Sequence, residues 1–418
     1  MPPADPDPTL ETAMDAEPNL GLPPYLRDDG TTRPRAPRRP ARRARSGRPR
    51  LRVWIPLLVL FFLSPAIYSW VQMARLPSSL PLGVRSVEWL RQHQFNWLVD
   101  EVEHVYYTWK TPAKGGPQLK TLPTVGLATH PKHGTPKPWP PSIKPVFATP
   151  LPGEGIWKPT GPRVDGRPPV LVTTFRTETD YPRIVAYVAW FDHTRTALAY
   201  YPGRYEPPRA TLRGPTEVPP GQRWRLLATF NGGFIYQDGL NGDALNGHVN
   251  EPLANGLATL VGYKNGKVDI VDWHGGPAPG PGIAFARQSL PLIIDHGRLN
   301  PKLSLGTEWG YTLGNAVRVW RTGVGIDRHG NLIYVAADYQ TVITLAQILK
   351  RAGAVRAMEL DINPEWYTLI TYRHHGGLVP TEVAPNYQQP PTRYLVPDDR
   401  DFFAVYRRLP GAVTVPLK

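Results

Sequence analysis

Polar residues that could support chemistry stand at three places along short apolar segments. Asn231–Phe234 (NGGF) closes one segment, and its asparagine can both donate and accept hydrogen bonds. Arg321–Gly323 lies inside another, where a buried arginine needs an anion such as a phosphate or the carboxylate of Asp361. Glu359–Asp361 carries two carboxylates on one face of a strand, a pair that can divide acid and base roles. Each group, taken singly, is equally compatible with a structural turn or a buried ion pair.

Other catalytic and metal motifs are weak in this sequence. His374 and His375 are adjacent, without the spacing of a helical zinc site, and neither a Gly-x-Ser-x-Gly elbow nor a P-loop is present. The glycine-rich loop 239–255 suits sugar binding, although loops are commonly polar, and its polar residues are Asp243, Asn246, His248, Asn250, Glu251 and Asn255. We expect no cofactor, and the sequence leaves open a divalent cation in this loop.

The elements that must position these residues are mainly strands. Asn-Gly and His-Gly-Asn turns join several of them as hairpins. The clearest helix is Thr344–Ala352, which Thr344 can cap and Gly353 can end. Many strands and few helices predict a mixed α+β, strand-rich sheet domain over 170–410. The predicted strands are Val170–Phe175, Arg183–Trp190, Thr196–Tyr201, Trp224–Phe230, Leu257–Tyr263, Val268–Trp273, Leu290–Ile294, Arg318–Ile326, Leu332–Ala337 and Ala357–Leu360.

The region before this domain divides into two parts. Residues 111–169 are rich in proline and glycine and predict an extended linker or strap. Residues 74–110 form a membrane-proximal segment in which apolar residues from Val84 to Val105 keep a rough helical period, so we expect a helix there.

A membrane anchor is predicted at Val53–Met73, a run of 21 residues without a charge. About 20 apolar residues span the hydrocarbon core. Trp54, Tyr68 and Trp70 stand near its ends, where aromatic rings prefer the interface. A buried core helix and a cleaved signal peptide, with a poor cleavage site near Ser64, are the alternatives.

The tail 1–52 sets the predicted orientation. It has eleven arginines and seven acidic residues, and we expect it to be disordered and cytoplasmic. The chain would then be single-pass, with its N-terminus inside and its C-terminal domain outside. Of the net charge of +14, a net charge of +10 would lie outside, which favours anionic envelope glycans or phosphoglycans as partners. Nucleic acid is excluded by this topology, and membrane lipid is contacted through the N-terminal helix. The absence of cysteine and the composition favour a bacterial envelope protein.

The order of several motifs over about Arg223–Trp366 resembles the phosphodiester glycosidase family, which includes the lysosomal enzyme that uncovers mannose-6-phosphate by removing N-acetylglucosamine. The series is NGGF, PLIIDHGRL, RTGVGIDRHGNLIYVAADY and TLAQILKRAGAVRAMELD. Asn231 and Gly233 match the first family motif, and Arg321 and Thr322 match the second. The remaining matches are Asp338 in the hairpin, Thr344 at the helix start and Asp361 in the final Leu-Asp.

The resemblance ends after Asp361. Ile362–Trp366 (INPEW) stands where the family has Gly-Gly-Gly-Ser-Ser. A glycine run lets backbone N–H groups approach a phosphate, whereas Pro364 lacks an N–H. We therefore expect either activity to be lost or the substrate to sit differently, with Glu365 or the face of Trp366 contacting a sugar.

The resemblance implies a hydrolase acting on a sugar phosphodiester or glycosidic bond. Asp361 would be base or nucleophile, Arg321 would stabilise phosphate charge, and Asn231 completes the catalytic set. Substrate-binding residues would be Gly233, Thr322, Asp338, Thr344, Glu359, Glu365 and Trp366. The alternatives are an inactive relative that binds envelope glycan and a scaffold protein of the envelope.

Overall fold

A computed structural model describes residues 50–76, 78, 81–109, 112–127, 140–236, 241–309 and 318–409. Outside these ranges lie most of the predicted tail, residues 77, 79, 80 and 110 of the membrane-proximal segment, residues 111 and 128–139 of the strap, and residues 237–240, 310–317 and 410 of the domain. Residues 239 and 240 belong to the polar loop. Four helices are described: α1 Arg50–Arg75, α2 Leu82–Gln92, α3 Asn96–Trp109 and α4 Val342–Arg351. The single helix expected around Val84–Val105 is therefore two helices, because α2 ends at Gln92 and Gln94 adopts a positive φ.

Strands dominate the chain from residue 170, as predicted, and a further two-residue strand lies before it in the segment expected to be a linker or strap. In chain order they are β1 Lys158–Pro159, β2 Val170–Arg176, β3 Val185–Phe191, β4 Thr196–Tyr201, β5 Leu226–Asn231, β6 Asp243–Leu245, β7 His248–Glu251, β8 Ala258–Tyr263, β9 Val268–Asp272, β10 Ile283–Gln288, β11 Ile294–Asp295, β12 Arg298–Leu299, β13 Val319–Asp327, β14 Leu332–Gln340, β15 Ala354–Glu359, β16 Leu369–His374, β17 Leu378–Ala384 and β18 Phe402–Arg407.

These strands form three antiparallel sheets. Sheet I has the order β1-β2-β3-β14-β13-β15-β11-β12, sheet II has the order β7-β6-β10-β8-β9, and sheet III has the order β17-β16-β5-β18-β4. The main hydrophobic core combines residues of all three sheets, while a second core lies between sheet I and α4. Both faces of sheet I are thus covered, which explains why β2 and β3 are buried along their whole length.

Strand β13 shows how the side-chain alternation places residues on opposite sides of sheet I. Thr322 and Val324 point toward the core shared by the sheets, whereas Arg321, Gly323 and Gly325 point toward α4. A Cβ on Gly323 would lie 3.1 Å from a Leu349 methyl of α4. These glycines therefore allow the helix to pack closely on the strand.

The start of α4 differs from the prediction. Its N-cap is Thr341, whose Oγ1 accepts a hydrogen bond from the Thr344 N–H, and the Thr341 N–H in turn donates to Oγ1 of Thr344. Thr344 therefore belongs to the third position of a reciprocal capping box.

Glycine is required at Gly232, directly after β5. A Cβ at this position would lie 2.2 Å from Oδ2 of Asp401 and 2.7 Å from its backbone oxygen. The Gly232 N–H also donates to that Asp401 oxygen at 3.0 Å, so the two segments cannot separate without losing a hydrogen bond.

We expect Gly232→Ala to lower the free energy of unfolding by at least about 1–3 kcal/mol, the usual cost of overpacking. Denaturant unfolding of the full chain in detergent measures it. Gly221→Ala is the matched control, because no atom lies within 4 Å of its added Cβ. Equal stability of the two variants would contradict this account of the Asp401 contact.

Candidate functional site

Asn231 connects two sheets through its side-chain amide. Its Nδ2 donates to Oγ1 of Thr322 at 3.0 Å, while its Oδ1 accepts from the Tyr334 hydroxyl at 2.6 Å and from the Thr368 N–H at 3.2 Å. The Thr322 hydroxyl in turn donates to the backbone oxygen of Asp361 at 2.6 Å. Asn231 and Thr322 are buried, and they fix the backbone at Asp361 rather than facing an open pocket.

Arg321 pairs with Glu359 on the α4 side of sheet I. Its Nη1 lies 2.5 Å from Glu359 Oε1, and its guanidinium also donates to the backbone oxygens of Gln340 and Trp309. The suggested pairing of Arg321 with Asp361 is therefore wrong. Burial raises the pKa of Glu359 to about 7, while the Arg321 charge opposes that shift.

Asp361 lies beyond the end of β15, in surroundings different from those of Glu359. Its Oδ1 accepts the Asn363 N–H at 2.9 Å, and its Oδ2 lies 3.6 Å from Nη1 of Arg400. The residue is only 6% exposed, and burial raises the pKa of its carboxyl while Arg400 lowers it. The two carboxylates of the Glu-Leu-Asp segment thus have separate cationic partners.

Arg400 also binds a second carboxylate, that of Glu88 in α2. Its Nη2 lies 3.2 and 3.1 Å from the two Glu88 oxygens, and Nε1 of Trp366 donates to Oε1 at 3.2 Å. The Arg400 guanidinium lies over the Trp366 ring, 4.4 Å from its centroid. We call the site formed by Asp361, Trp366 and Arg400 the anion site. The Glu88 carboxylate occupies it.

The ring of Trp366, expected to contact a sugar, is 1% exposed. The Arg393 guanidinium also lies 4.9 Å from its centroid, and Val84 of α2 packs against it. The cavity beside Trp366, Arg400 and Glu88 has a volume of only about 10 Å³. That volume is comparable to one water at most, so α2 fills the anion site in this conformation.

A much larger cleft lies beside the segment that carries Trp366. Its volume is about 1320 Å³, and it is bordered by α2, α3 and the segment 364–367. Trp320 and Tyr367 stack in its wall with centroids 3.7 Å apart. Asp338 and Glu365 both line it, which brings two of the predicted substrate-binding residues to one surface.

Glu365 connects the cleft electrostatically with the anion site. Burial raises the pKa of its carboxyl, the Glu88 charge raises it further, and Arg91 and Arg400 act in the opposite direction. Its Oε2 is buried and has no hydrogen-bond partner among the described residues. This oxygen can accept a hydrogen bond from a ligand that enters the cleft, or donate one to it when the carboxyl is protonated.

The loop after Asn231 contains strands β6 and β7, and its proposed sugar binding stays a prediction. Asp243 lies in β6, and its Oδ1 accepts from the Asn250 amide at 2.7 Å. Burial raises the pKa of Asp243 to about 6. Gly233 lies against Arg287, whose Nε donates to Oδ2 of Asp401 at 2.7 Å, so both glycines of NGGF make room for this ion pair.

Two groups of the predicted site remain apart from the anion site. Thr344 is buried in the capping box of α4, and Arg321 with Glu359 forms a separate ion pair. Across the ranges that the structure describes, no three His, Cys, Asp or Glu side chains are grouped as metal ligands. Glu88, Arg400, Arg287 and Asp401 were not predicted, because their partners lie far away in the sequence and no local spacing marks them.

The family model for phosphodiester glycosidase matches residues 225–361, about a third of the chain. This confirms the resemblance read from the motifs, and the match ends at Asp361, before the INPEW departure. Comparison with curated proteins finds no match.

Several solved structures are similar to this chain. One is the zebrafish N-acetylglucosamine-1-phosphodiester alpha-N-acetylglucosaminidase catalytic domain auto-inhibited by its pro-peptide, with 17% identity, a TM-score of 0.41, and coverage of 59% of this chain and 87% of that one. A hypothetical Synechocystis protein has 13% identity, a TM-score of 0.34, and coverage of 60% and 64%. A Burkholderia pseudomallei protein described as exported has 12% identity, a TM-score of 0.29, and coverage of 55% and 75%.

Glu206, beside the anion site, provides a test of the buried charges. Burial raises its pKa to about 7, with Arg400 and Arg287 opposing and Asp401 adding to the shift. The pKa of Glu206 in the folded protein lies above the ordinary value of 4.5. The contribution of the Glu206 carboxyl to stability is therefore fully present below pH 4.5 and is lost as pH rises through about 7.

We therefore expect Glu206→Gln to gain stability relative to wild type as pH rises from 5 to 8, since glutamine cannot ionise. Thermal unfolding across this pH range measures the difference. Glu101→Gln, at an exposed position of α3, is the control and should show little pH-dependent difference. A constant difference between Glu206→Gln and wild type would contradict the raised pKa.

Proposed function

We propose that this chain is a membrane-anchored extracytoplasmic hydrolase that cleaves a sugar phosphodiester or glycosidic bond of a cell-envelope glycan. One observation carries the proposal: the anion site holds a carboxylate, Glu88, between Arg400 and the Trp366 N–H, directly beside Asp361. A phosphate offers the same oxygen acceptors as this carboxylate. The position of the Glu88 carboxylate is therefore where the phosphate of a substrate would bind after Glu88 moves away.

The residues divide the reaction between binding and proton transfer. Arg400 and the Trp366 N–H hold the phosphate, and Asp361 accepts a proton from the water that attacks the sugar C1. The bond between C1 and the phosphate oxygen breaks, its electron pair goes to that oxygen, and a free sugar and a phosphomonoester result. The raised pKa of Asp361 brings a carboxylate base closer to neutral pH.

Arg400 takes the role in this proposal that Arg321 had in the sequence interpretation. Arg321 is committed to Glu359 and two backbone oxygens, whereas Arg400 contacts both carboxylates of the anion site. Asn231 and Thr322 act as positioning residues, because their hydrogen bonds hold the Asp361 backbone. Glu365 and Asp338 would contact the remainder of the substrate in the cleft.

The location rests on α1 and the sequence before it. Among the described helices, Trp54–Arg75 is long and apolar enough to cross a membrane, a property that a signal sequence shares. The arginine cluster before it favours retention of that end in the cytoplasm. The strand-rich part, which follows α1, would then lie outside, near the envelope glycans.

A second function, glycan binding without turnover, is supported by the departure after Asp361. Pro364 and Trp366 replace small residues of the family motif, and α2 covers the anion site. In this alternative the cleft and Arg400 hold an anionic glycan, and no bond is broken. Product formation separates the two functions.

We expect the full chain in detergent to release N-acetylglucosamine from a methyl phosphodiester of N-acetylglucosamine-1-phosphate. Asp361→Asn should lower kcat by roughly 10²–10⁴-fold, the range of general base catalysis. Because Asp361 acts as the base, wild-type kcat/KM should rise with pH and level off above its raised pKa. Asp295→Asn, at an exposed position of β11, is the matched control. If no product forms and the protein binds the intact ester, the result would instead support glycan binding.

Glu88→Gln should increase kcat/KM for this ester several-fold, since a neutral amide binds Arg400 less strongly than a carboxylate does. Steady-state kinetics at low and high salt measure the effect, and Glu101→Gln is the control at an exposed position. A decrease to the level of Asp361→Asn would show that Glu88 participates in the reaction instead of blocking the anion site.

A further inference from the structure

The large cleft is lined mostly by apolar side chains, although it borders a charged site. Val87 and Leu90 of α2, together with Leu98 and Val102 of α3, form one wall, and the stacked Trp320 forms part of the other. Its volume of about 1320 Å³ exceeds the roughly 300–1,000 Å³ of common small-molecule sites. A sugar phosphate alone would leave most of this apolar surface without a partner.

The cleft is tied to the C-terminal end of the apolar helix α1. Nε1 of Trp70 donates to the Ser86 hydroxyl at 3.0 Å, and Nε1 of Trp89 donates to the Ser69 hydroxyl at 3.1 Å. The Arg85 guanidinium donates to the backbone oxygen of Met73. If α1 spans the membrane, these bonds hold α2, and with it one wall of the cleft, at the membrane surface.

The apolar surface of α3 continues from the cleft toward solvent. Leu98, Val102 and Tyr106 line the cleft at helical spacing. Helix α3 also carries Trp97 and Trp109, which are 68% and 86% exposed. Exposed tryptophans next to a membrane-spanning helix are typical of the interface between lipid and water.

The polar residues of the cleft include a cationic side chain, Arg183, that can bind a phosphate-bearing head group. Arg183 is exposed at the cleft and makes no ion pair with any residue that the structure describes. Glu365 has an unpartnered buried oxygen at the same surface and is followed in the chain by Trp366 of the anion site. The cleft thus combines an apolar wall with charged groups next to the proposed reaction centre.

We propose that the cleft binds the hydrocarbon chain of a lipid-linked sugar phosphodiester, which the protein takes from the membrane surface with its sugar phosphate directed to Glu365 and the anion site. This inference rests on the proposed function for the head group. The apolar walls, the attachment of α2 to α1 and the exposed tryptophans of α3 support the lipid part separately.

The kinetic test compares two N-acetylglucosamine-1-phosphodiesters, with a methyl and a hexadecyl group, using the full chain in nanodiscs. We expect kcat/KM to be at least about tenfold higher for the hexadecyl ester, since each buried CH2 contributes about 0.8 kcal/mol. Val102→Glu should raise KM for the hexadecyl ester about tenfold more than it raises KM for the methyl ester, because a charge in the cleft wall excludes the chain.

The matched control is Val379→Glu, an exposed valine of β17 outside the cleft. Val379→Glu should retain the preference for the hexadecyl ester, which separates binding in the cleft from simple enrichment of the ester in the nanodisc. Equal kcat/KM for both esters, or the same loss in both variants, overturns the lipid inference.

A binding readout distinguishes failure of this inference from failure of the proposed function. A hexadecyl phosphodiester carrying a photoreactive diazirine in its chain should label peptides from 87–106 and 319–367, and Val102→Glu should lose most of that labelling. Labelling without any turnover keeps the lipid site and refutes the hydrolase. Turnover of the methyl ester with labelling confined to α1 keeps the hydrolase and refutes the lipid site.

Discussion

The side-chain amide of Asn231 is the contact on which the arrangement of the site depends. It belongs to β5 of sheet III, while its partners Thr322 and Tyr334 belong to β13 and β14 of sheet I. A buried amide stabilises the fold only when all of its hydrogen-bond partners are present, because each unsatisfied buried group costs about 1–3 kcal/mol of stability. The contact between the two sheets is thereby specified at one point, and the backbone of Asp361 is fixed through Thr322 at the same point.

Buried ion pairs also hold segments of this domain together, and the Arg287–Asp401 pair joins segments that are 114 residues apart. Arg287 pairs with Asp401, Arg176 with Glu154, and Arg393 with Asp398, each with both side chains almost fully buried. Removing one partner of such a pair typically costs about 3–5 kcal/mol, although the intact pair contributes little net stability. Their effect is to fix which segments meet, and the Arg287 pair explains why two glycines follow Asn231.

The sequence predicted the strands whose residues are apolar and bounded by turns, including β4 and β13. It missed β17, whose Pro380 argues against a central strand and is tolerated because β17 is an edge strand of sheet III. Within the site, Asn231 and Asp361 could be identified because their motifs are local. Glu88 and Arg400 could not, since they are more than 300 residues apart and each alone is typical of an ordinary helix or turn.

Helix α2 contributes to two binding surfaces at once. Its Glu88 side occupies the anion site, and its Val87 and Leu90 side forms a wall of the cleft. A displacement of α2 that frees Arg400 must also change the shape of the cleft. Ligands that select between these helix positions are thermodynamically linked, so the occupant of one surface alters affinity at the other by the same factor in both directions. With the proposed membrane anchor and lipid site, α2 would thus make head-group and chain recognition cooperative.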